Sequence, residues 1–368
     1  MKGIQIKEYV KVSQSRQFTT TTTTITTSYQ TLLTPPQSLD DLTTTTNLPP
    51  PTPKPSEYLI RIHASALNFF DILQVQGLYQ HQPPFPWLSG TEFSGTIVST
   101  PSDNSDTRFQ PGDRVFGAAQ GAYAELICCP GTSLLPVPKG WSFEDAAGMY
   151  ITAPTSYAAL VTRAKILPGE WVLVHAAAGG VGLSAVQIAK AKGATVIATA
   201  GSPEKLKVAK GFGADYVVDY TDKDWQGKVL GILKANNKKT AGVDVVFDPV
   251  GMVNPSLKVV AWNARILVVG FAGGVIEEVR VNRVLLKNVS VVGIHWGLYS
   301  RFEPETVELA WKGLFELIDQ GKFRPTVYTD KEYVGLESVR YALKALGGRE
   351  TWGKVVVKVP AEGELAKL

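Results

Sequence analysis

The sequence predicts an α/β protein of two domains: a mainly β domain built by the two ends of the chain, and a doubly wound parallel sheet between them. Three observations carry that reading. The chain has 368 residues, more than one compact core usually holds, so two domains sharing a cleft are expected. Its first third reads as short alternating strands bounded by glycine turns. Its middle alternates apolar β runs with helical segments of about a dozen residues, the signature of a parallel sheet covered on both faces.

Taken in order, residues 4 to 10 read as a first strand. A low-complexity insertion follows at about 18–55, with Thr19 to Thr24, Thr43 to Thr46 and a proline-rich run from Pro49 to Pro55. That composition cannot bury a core, so a solvated surface segment is expected. EYLIRIHASALN, GTEFSGTIVST, GDRVFGAA and GAYAELICCP then read as strands. At Trp141 the texture changes. SFEDAAGMYITAPTSYAALVTRA reads as helix, opened by Ser142 with Glu144 and Asp145 in its first turn and interrupted near Pro154. Strand and helix signals alternate from WVLVHA through TVIATA, YVVDY and VDVVFDPV to ARILVVG, and the terminal GKVVVKV reads as a strand returning to the first domain.

Composition excludes several function classes. With 44% apolar and 19% charged residues the chain is ordinary for a globular enzyme. A net charge of +4, with Lys and Arg scattered, gives no footprint for nucleic acid, and a locally basic pocket for a phosphate suits it better. The two cysteines, Cys128 and Cys129, are adjacent, which argues against a structural disulfide and for a reducing compartment. His63, His81, His175 and His295 are far apart, so no zinc-ligand spacing exists and no metal is expected. The apolar run from Val172 to Ala200 is broken by His175, Gln187, Lys190 and Lys192, too polar to span a membrane. MKGIQIKEYV lacks a signal-peptide core, so a soluble, cytoplasmic protein is expected, with a mitochondrial placement left open.

The sharpest chemical signal is VLVHAAAGGVGLSAVQIAKAKGATVIATAG. A β run ends at Ala176, the segment AAAGGVG makes a turn, and a helix of small residues follows at once. A dinucleotide needs this arrangement: Gly179 and Gly180 present no side chain to its pyrophosphate, Gly182 lets the helix pack closely, and the helix start at Ala178 to Val181 offers backbone donors and a positive dipole end. The first glycine of the usual G-x-G-x-x-G is Ala177. An NAD site places an acid about 20 residues on, at the tip of the second strand. Here that tip is Ala200, Gly201 and Ser202, followed by Lys205, a set suited to the extra phosphate of NADPH.

These residues and their flanks resemble the zinc-independent quinone oxidoreductase (zeta-crystallin-like) branch of the medium-chain dehydrogenase/reductase superfamily over nearly the whole chain. NFFDILQVQGLYQHQPPFPWLSGTEFSGTIV, GDRVFG, GAYAE and AAAGGVG carry the resemblance. It implies a GroES-like β-barrel catalytic domain at 1–148 and 321–368 and a Rossmann NADPH-binding domain at 149–320. It places Asn68 and Asp71 beside the nicotinamide, Tyr79 in the substrate cleft, Thr155 near the nicotinamide end and Tyr220 near the adenosine 2′-phosphate. Gly270 and Phe271 would cover the cofactor, and Lys354 would lie where the last strand, after Gly353, meets it. Gly90, Thr91 and Glu92 stand where the zinc branch has a GHE motif, Ala153 and Pro154 where close relatives commonly have Tyr and Gly, and the long insertion is unlike the family's short connection.

The resemblance implies reduction of a quinone or an α,β-unsaturated carbonyl by hydride held against the acceptor, with Asn68 or Tyr79 donating to the developing oxyanion and Asp71 orienting its neighbours. His63 and His175 read as packed, hydrogen-bonded residues, and Met149 and the tryptophans as core. The rivals are an enoyl thioester reductase and a non-catalytic NADPH-binding interaction protein; no basic stripe or amphipathic surface helix favours nucleic acid or membrane as partner. The resemblance also implies a homodimer, through an edge strand at ILVVGFAGG or NVSVVGIHWG.

Overall fold

The computed structural model describes residues 1–7 and 39–360. Thr19 to Thr24, the rest of the insertion before residue 39 and the far end of the first expected strand lie outside the described residues. What is described of the insertion corrects the expectation of a wholly solvated segment. A short turn of 3-10 helix at Leu39–Asp41 leads to Leu42, which is buried in the β-domain core. Thr45 exchanges backbone hydrogen bonds of 2.9 and 3.2 Å with Gly3, and Asp40 pairs with Lys344. Apolar contacts of Leu39 and Leu42 and backbone pairings with Gly3 and Met1 hold this segment of low-complexity composition.

Strand β1 (Gln5–Ile6) is short, and the spine of the first domain is β2 (Glu57–Ala66). Along β2 the side chains of Tyr58, Ile60, Ile62 and Ala64 are buried at alternate positions, the period-2 pattern that sets one face on a core. β1 pairs antiparallel with β3 (Trp87–Leu88), while β4 (Glu92–Ser99) and β6 (Leu126–Pro130) flank β2 on its two sides in part of its length. β5 (Arg114–Ala118) pairs with β4, and β7 (Leu134–Pro136) with β5. Phe93, Ile97, Val115 and Tyr123 fill the space beneath.

The second sheet contains β8 (Trp171–Val174), β9 (Thr195–Ala200), β10 (Tyr216–Asp219), β11 (Val243–Asp248), β12 (Val260–Val268) and β13 (Ser290–Gly293). Every pairing in it is parallel, in the order β10, β9, β8, β11, β12, β13. Strand order reverses between β8 and β11, and a crevice at the carboxyl ends of the strands at such a point is where ligands bind in this architecture. Val172, Leu173, Val174, Val245, Val246 and Phe247 are fully buried, as strands covered on both faces must be. Strands β14 (Tyr333–Val334) and β15 (Val356–Lys358) return to the first sheet, where β15 pairs antiparallel with β2 as the terminal GKVVVKV predicted.

The helical stretch after Trp141 opens as expected but breaks earlier than expected. Ser142 and Asp145 cap each other's backbone at 3.0 Å at the start of a helix running Phe143–Ala147. The chain then turns through Gly148 to Ile151 and re-enters helix at Thr152–Tyr157, so Pro154 lies in the first turn of that second helix. A first-turn residue has no intrahelical acceptor for its N–H, and a proline there removes nothing.

Candidate active site between the two sheets

The glycine turn lies at the carboxyl end of β8. His175 is buried with both ring nitrogens bonded, to Thr199 Oγ1 and Ser256 Oγ at 2.8 Å each, and burial pushes its pKa down to about 3, so it stays a neutral packing residue. Ala176 takes a φ of +44°, an uncommon left-handed conformation for a residue with a Cβ, and tightens the turn. Gly179 is the N-cap of the helix Gly180–Ala191, and no side chain caps that helix start. A Cβ on Gly179 would meet only Ala176 O, at 3.4 Å, so the turn is open to a ligand's approach. A Cβ on Gly182 would fall 2.7 Å from Ala177 Cα, which is the close helix packing expected of that glycine. Gly180 departs from expectation: a Cβ there would lie 2.8 Å from Lys354 Cδ, so the space it leaves is filled by a protein side chain, not kept for a phosphate.

At the far end, β9 stops at Ala200 and Ser202 caps the helix Pro203–Gly211, accepting from Lys205 N at 3.4 Å. Tyr220 follows β10, with its backbone N–H on Ala200 O, and its ring is 3.2 Å from where a Gly201 Cβ would be. Lys205 Nζ donates to the carbonyl of Arg349 at 2.6 Å, and the Arg349 guanidinium donates to Ala272 O at 3.0 Å in the loop that begins at Gly270 and Phe271. Burial lowers the Lys205 pKa and the neighbouring Arg349 charge lowers it further; burial raises that of Tyr220. Lys205 and Tyr220 therefore both lie beside Arg349, and Ser202 caps the helix that carries the lysine. Sequence reading missed Arg349 because it lies 144 residues from its lysine.

The third part of the site is a buried polar network. Asn68 precedes the helix Phe69–Val75, and Asp71, three residues on, accepts from Asn68 N at 2.8 Å, so Asp71 caps the start of that helix. Asp71 also accepts from Tyr123 OH at 2.7 Å and Thr91 Oγ1 at 3.2 Å. Burial pushes its carboxyl up to about 6, against the pull of those donors and of the Lys354 charge. Glu92 Oε2 accepts from Asn68 Nδ2 at 3.0 Å and Lys354 Nζ at 2.8 Å, and its Oε1 accepts from Ile151 N at 2.8 Å. Lys354 Nζ also donates to Asn68 Oδ1 at 2.6 Å and to Leu67 O at 3.0 Å. Lys354, expected among the cofactor contacts, meets the glycine turn only with its methylenes. Its ammonium has three hydrogens and all three are used.

Tyr79 stands apart from this network, half-buried and stacked on Phe70 with ring centroids 5.2 Å apart; burial and the Asp71 charge raise its pKa. Thr155 sits on the second helix after Trp141 with its hydroxyl on Ile151 O at 2.6 Å, one residue position shared with Glu92. Glu92 and Tyr123 went unrecognised in the sequence. Glu92 registered only as part of a departed zinc motif, and Tyr123 as one strand residue in GAYAE. Among the described residues no group of three His, Cys, Asp or Glu side chains is placed to hold a metal ion, and no helix is long and apolar enough to cross a membrane.

A glycine turn at the switch point of a parallel sheet, faced by buried hydrogen-bonding groups of an antiparallel sheet, defines a two-domain dehydrogenase or reductase. Family models agree: residues 54–139 match the alcohol dehydrogenase GroES-like domain and residues 180–312 the zinc-binding dehydrogenase. The chain is 36% identical over 312 residues to quinone oxidoreductase-like protein 2 of Mus musculus, covering 83% of this chain and 85% of the relative. It is 30% identical over 334 residues to the human synaptic vesicle membrane protein VAT-1 homolog, covering 85% and 82%. The Escherichia coli quinone oxidoreductase, solved in complex with NADPH, superposes with a TM-score of 0.79 at 27% identity over 97% of this chain and 100% of that one. The chain belongs to the medium-chain dehydrogenase/reductase superfamily, and it is an oxidoreductase of the quinone oxidoreductase-like branch, with Thr91 where zinc enzymes carry histidine.

Proposed function

We propose that the protein reduces quinones or conjugated enones with NADPH, without a metal. One observation carries the reading: beside Ser202 the cations Lys205 and Arg349 donate to backbone carbonyls, which a phosphate can replace, while the neutral amide of Asn68 is held by Lys354 and Glu92. The open Gly179 turn, with Ala178, Gly180 and Val181 around it, suits a pyrophosphate at a helix start. Ser202, Lys205, Tyr220 and Arg349 suit the 2′-phosphate, and Thr155, Gly270 and Phe271 are the residues assigned to the rest of the cofactor. NADPH, when bound, supplies the hydride.

The chain's own residues do the rest. The Asn68 amide is oriented by its partners: its oxygen must face the Lys354 ammonium and its nitrogen the Glu92 carboxylate, which leaves one amide N–H for a substrate oxygen. Tyr79 offers a flat face and a second O–H donor at the cleft. Asp71 holds Asn68 and Tyr123 in place. The test is absorbance loss of NADPH against NADH with a small quinone, an enone and an enoyl-CoA. Turnover of the first two with preference for NADPH supports the reading; exclusive use of the thioester replaces it with the enoyl reductase.

We propose further that two copies pair through β13. That edge strand is largely exposed, and beside it the helix Val281–Lys287 shows Val281, Leu285 and Leu286 to solvent at 74–78%. An open edge with adjoining exposed aliphatic side chains suits a twofold interface. Light scattering on the wild type and on Leu285→Glu tests it, with a dimer that dissociates in the variant as the expected result.

A further inference from the structure

We infer that Lys354 and Glu92 are positioning residues that lock the Asn68 amide to the cofactor turn. The inference deepens the reductase reading and rests on it. The two side chains form a buried ion pair at 2.8 Å, 3% and 0% exposed. Such a pair adds little stability over apolar packing of the same volume, because both charges lose their hydration. Its connections are specific. Gly353 N donates to Ala178 O at 2.7 Å inside the glycine turn, so the segment that carries Lys354 is stitched to that turn. The lysine stem runs through a gap left by two glycines: a Cβ on Gly148 or on Gly180 would each lie 2.8 Å from it. Its ammonium then reaches Asn68 Oδ1, while Glu92 holds Asn68 Nδ2 with one oxygen and Ile151 N, at the start of the helix bearing Thr155, with the other.

Two segments of the parallel-sheet region, the glycine turn and the start of the Thr155 helix, thus converge on one amide of the antiparallel region. No hydrogen of the ammonium is free, so Lys354 acts through Asn68 and not on a ligand. The pair fixes which end of that amide faces the cleft: with the cation on its oxygen and the carboxylate on its nitrogen, the flipped orientation would set like against like on both sides. A polar network that serves position and not stability separates the two in mutation, because removing both charges relieves the desolvation while leaving the amide free to turn.

The experiment compares the full-length wild type with Lys354→Met, Glu92→Gln and the double variant, reading thermal midpoint, NADPH dissociation constant, fluorescence of bound NADPH, and kcat and KM with a small quinone. Lys354→Met is expected to lower the midpoint and to reduce kcat by about 100-fold, the scale of a slightly misplaced group, with the NADPH dissociation constant within about threefold of wild type. The double variant is expected to regain the midpoint without regaining kcat, and the emission of bound NADPH is expected to shift toward that of free NADPH in both. A double variant that recovers kcat along with its midpoint, or unchanged bound-NADPH emission in every variant, overturns the positioning role. Should Lys354→Met fail to fold, the isosteric Glu92→Gln carries the same comparison of kcat, emission and midpoint. Should the wild type reduce no acceptor, the reductase reading falls, and the emission of bound NADPH alone decides the network.

Discussion

The two ends of the cleft use charge in opposite ways. At the Asn68 end every charged group is buried and partnered: Lys354 on Glu92, and Asp71 on Asn68, Tyr123 and Thr91. At the Ser202 end the cations Lys205 and Arg349 rest on backbone carbonyls, the Arg349 O and the Ala272 O, which carry no full charge. A cation on a carbonyl is free to exchange that partner for an anion, whereas a cation on a buried carboxylate is not. In the proposed function, the one end accepts a charged ligand and the other holds a neutral donor still.

Asn68→Ala breaks the rigid end most directly. It is expected to lower kcat by about 10²–10³, the effect of losing one donor to a developing oxyanion, with the NADPH dissociation constant little changed, as steady-state kinetics and a fluorescence titration would register. Asp71 sharpens the same end through pH. Its folded pKa, about 6, lies above the usual 3.8, so the folded state keeps a proton that the unfolded state loses between those values. Stability associated with that proton is complete below about pH 4 and is lost as pH rises through 6. Replacement by Asn, which cannot ionise, removes this slope. The stability advantage of wild type over Asp71→Asn should therefore shrink by up to about 2 kcal/mol between pH 4 and 6.5 in urea titrations; an unchanged gap would show that Asp71 ionises normally.

The accepting end should respond in binding and hardly at all in the chemical step. Lys205→Ala and Arg349→Ala are each expected to raise the NADPH KM by about tenfold, more at low salt than at high, while NADH kinetics stay close to wild type. Equal losses with both cofactors would mean that these cations serve packing and not the 2′-phosphate. The smallest effect is expected at Gly180→Ala. The added methyl meets the Lys354 stem and Thr152 Cγ2 and not backbone, so cofactor affinity should fall by no more than about threefold, any further loss appearing in kcat through the displaced lysine, whereas Gly182→Ala meets Ala177 backbone and should be markedly worse in a thermal melt.

The alternating burial of Tyr58, Ile60 and Ile62, the apolar runs around Leu173 and Val246, and the Ser142 cap were legible because each is local, set by a period of two, by strand burial or by a cap three residues long. The Gly179 turn was legible for the same reason, and so was the absence of an acid at Gly201 and Ser202, directly after β9. Pro154 misled because a proline's effect depends on where the helix starts, and that start is set by Glu92 accepting from Ile151 N, 59 residues away. The insertion misled from Leu39 onward because its composition says nothing of Gly3, ahead of β1, with which Thr45 pairs.

The sequence by itself therefore determined the two-sheet architecture, the glycine turn and the family to which the chain belongs, since these follow from patterns a few residues long. Only the tertiary structure decided that Gly180 makes room for Lys354, that Arg349 joins Lys205, and that Glu92 and Lys354 close on Asn68. Those partners are 24 to 286 residues apart along the chain, and no local period encodes a contact between segments that only the folded sheets bring together.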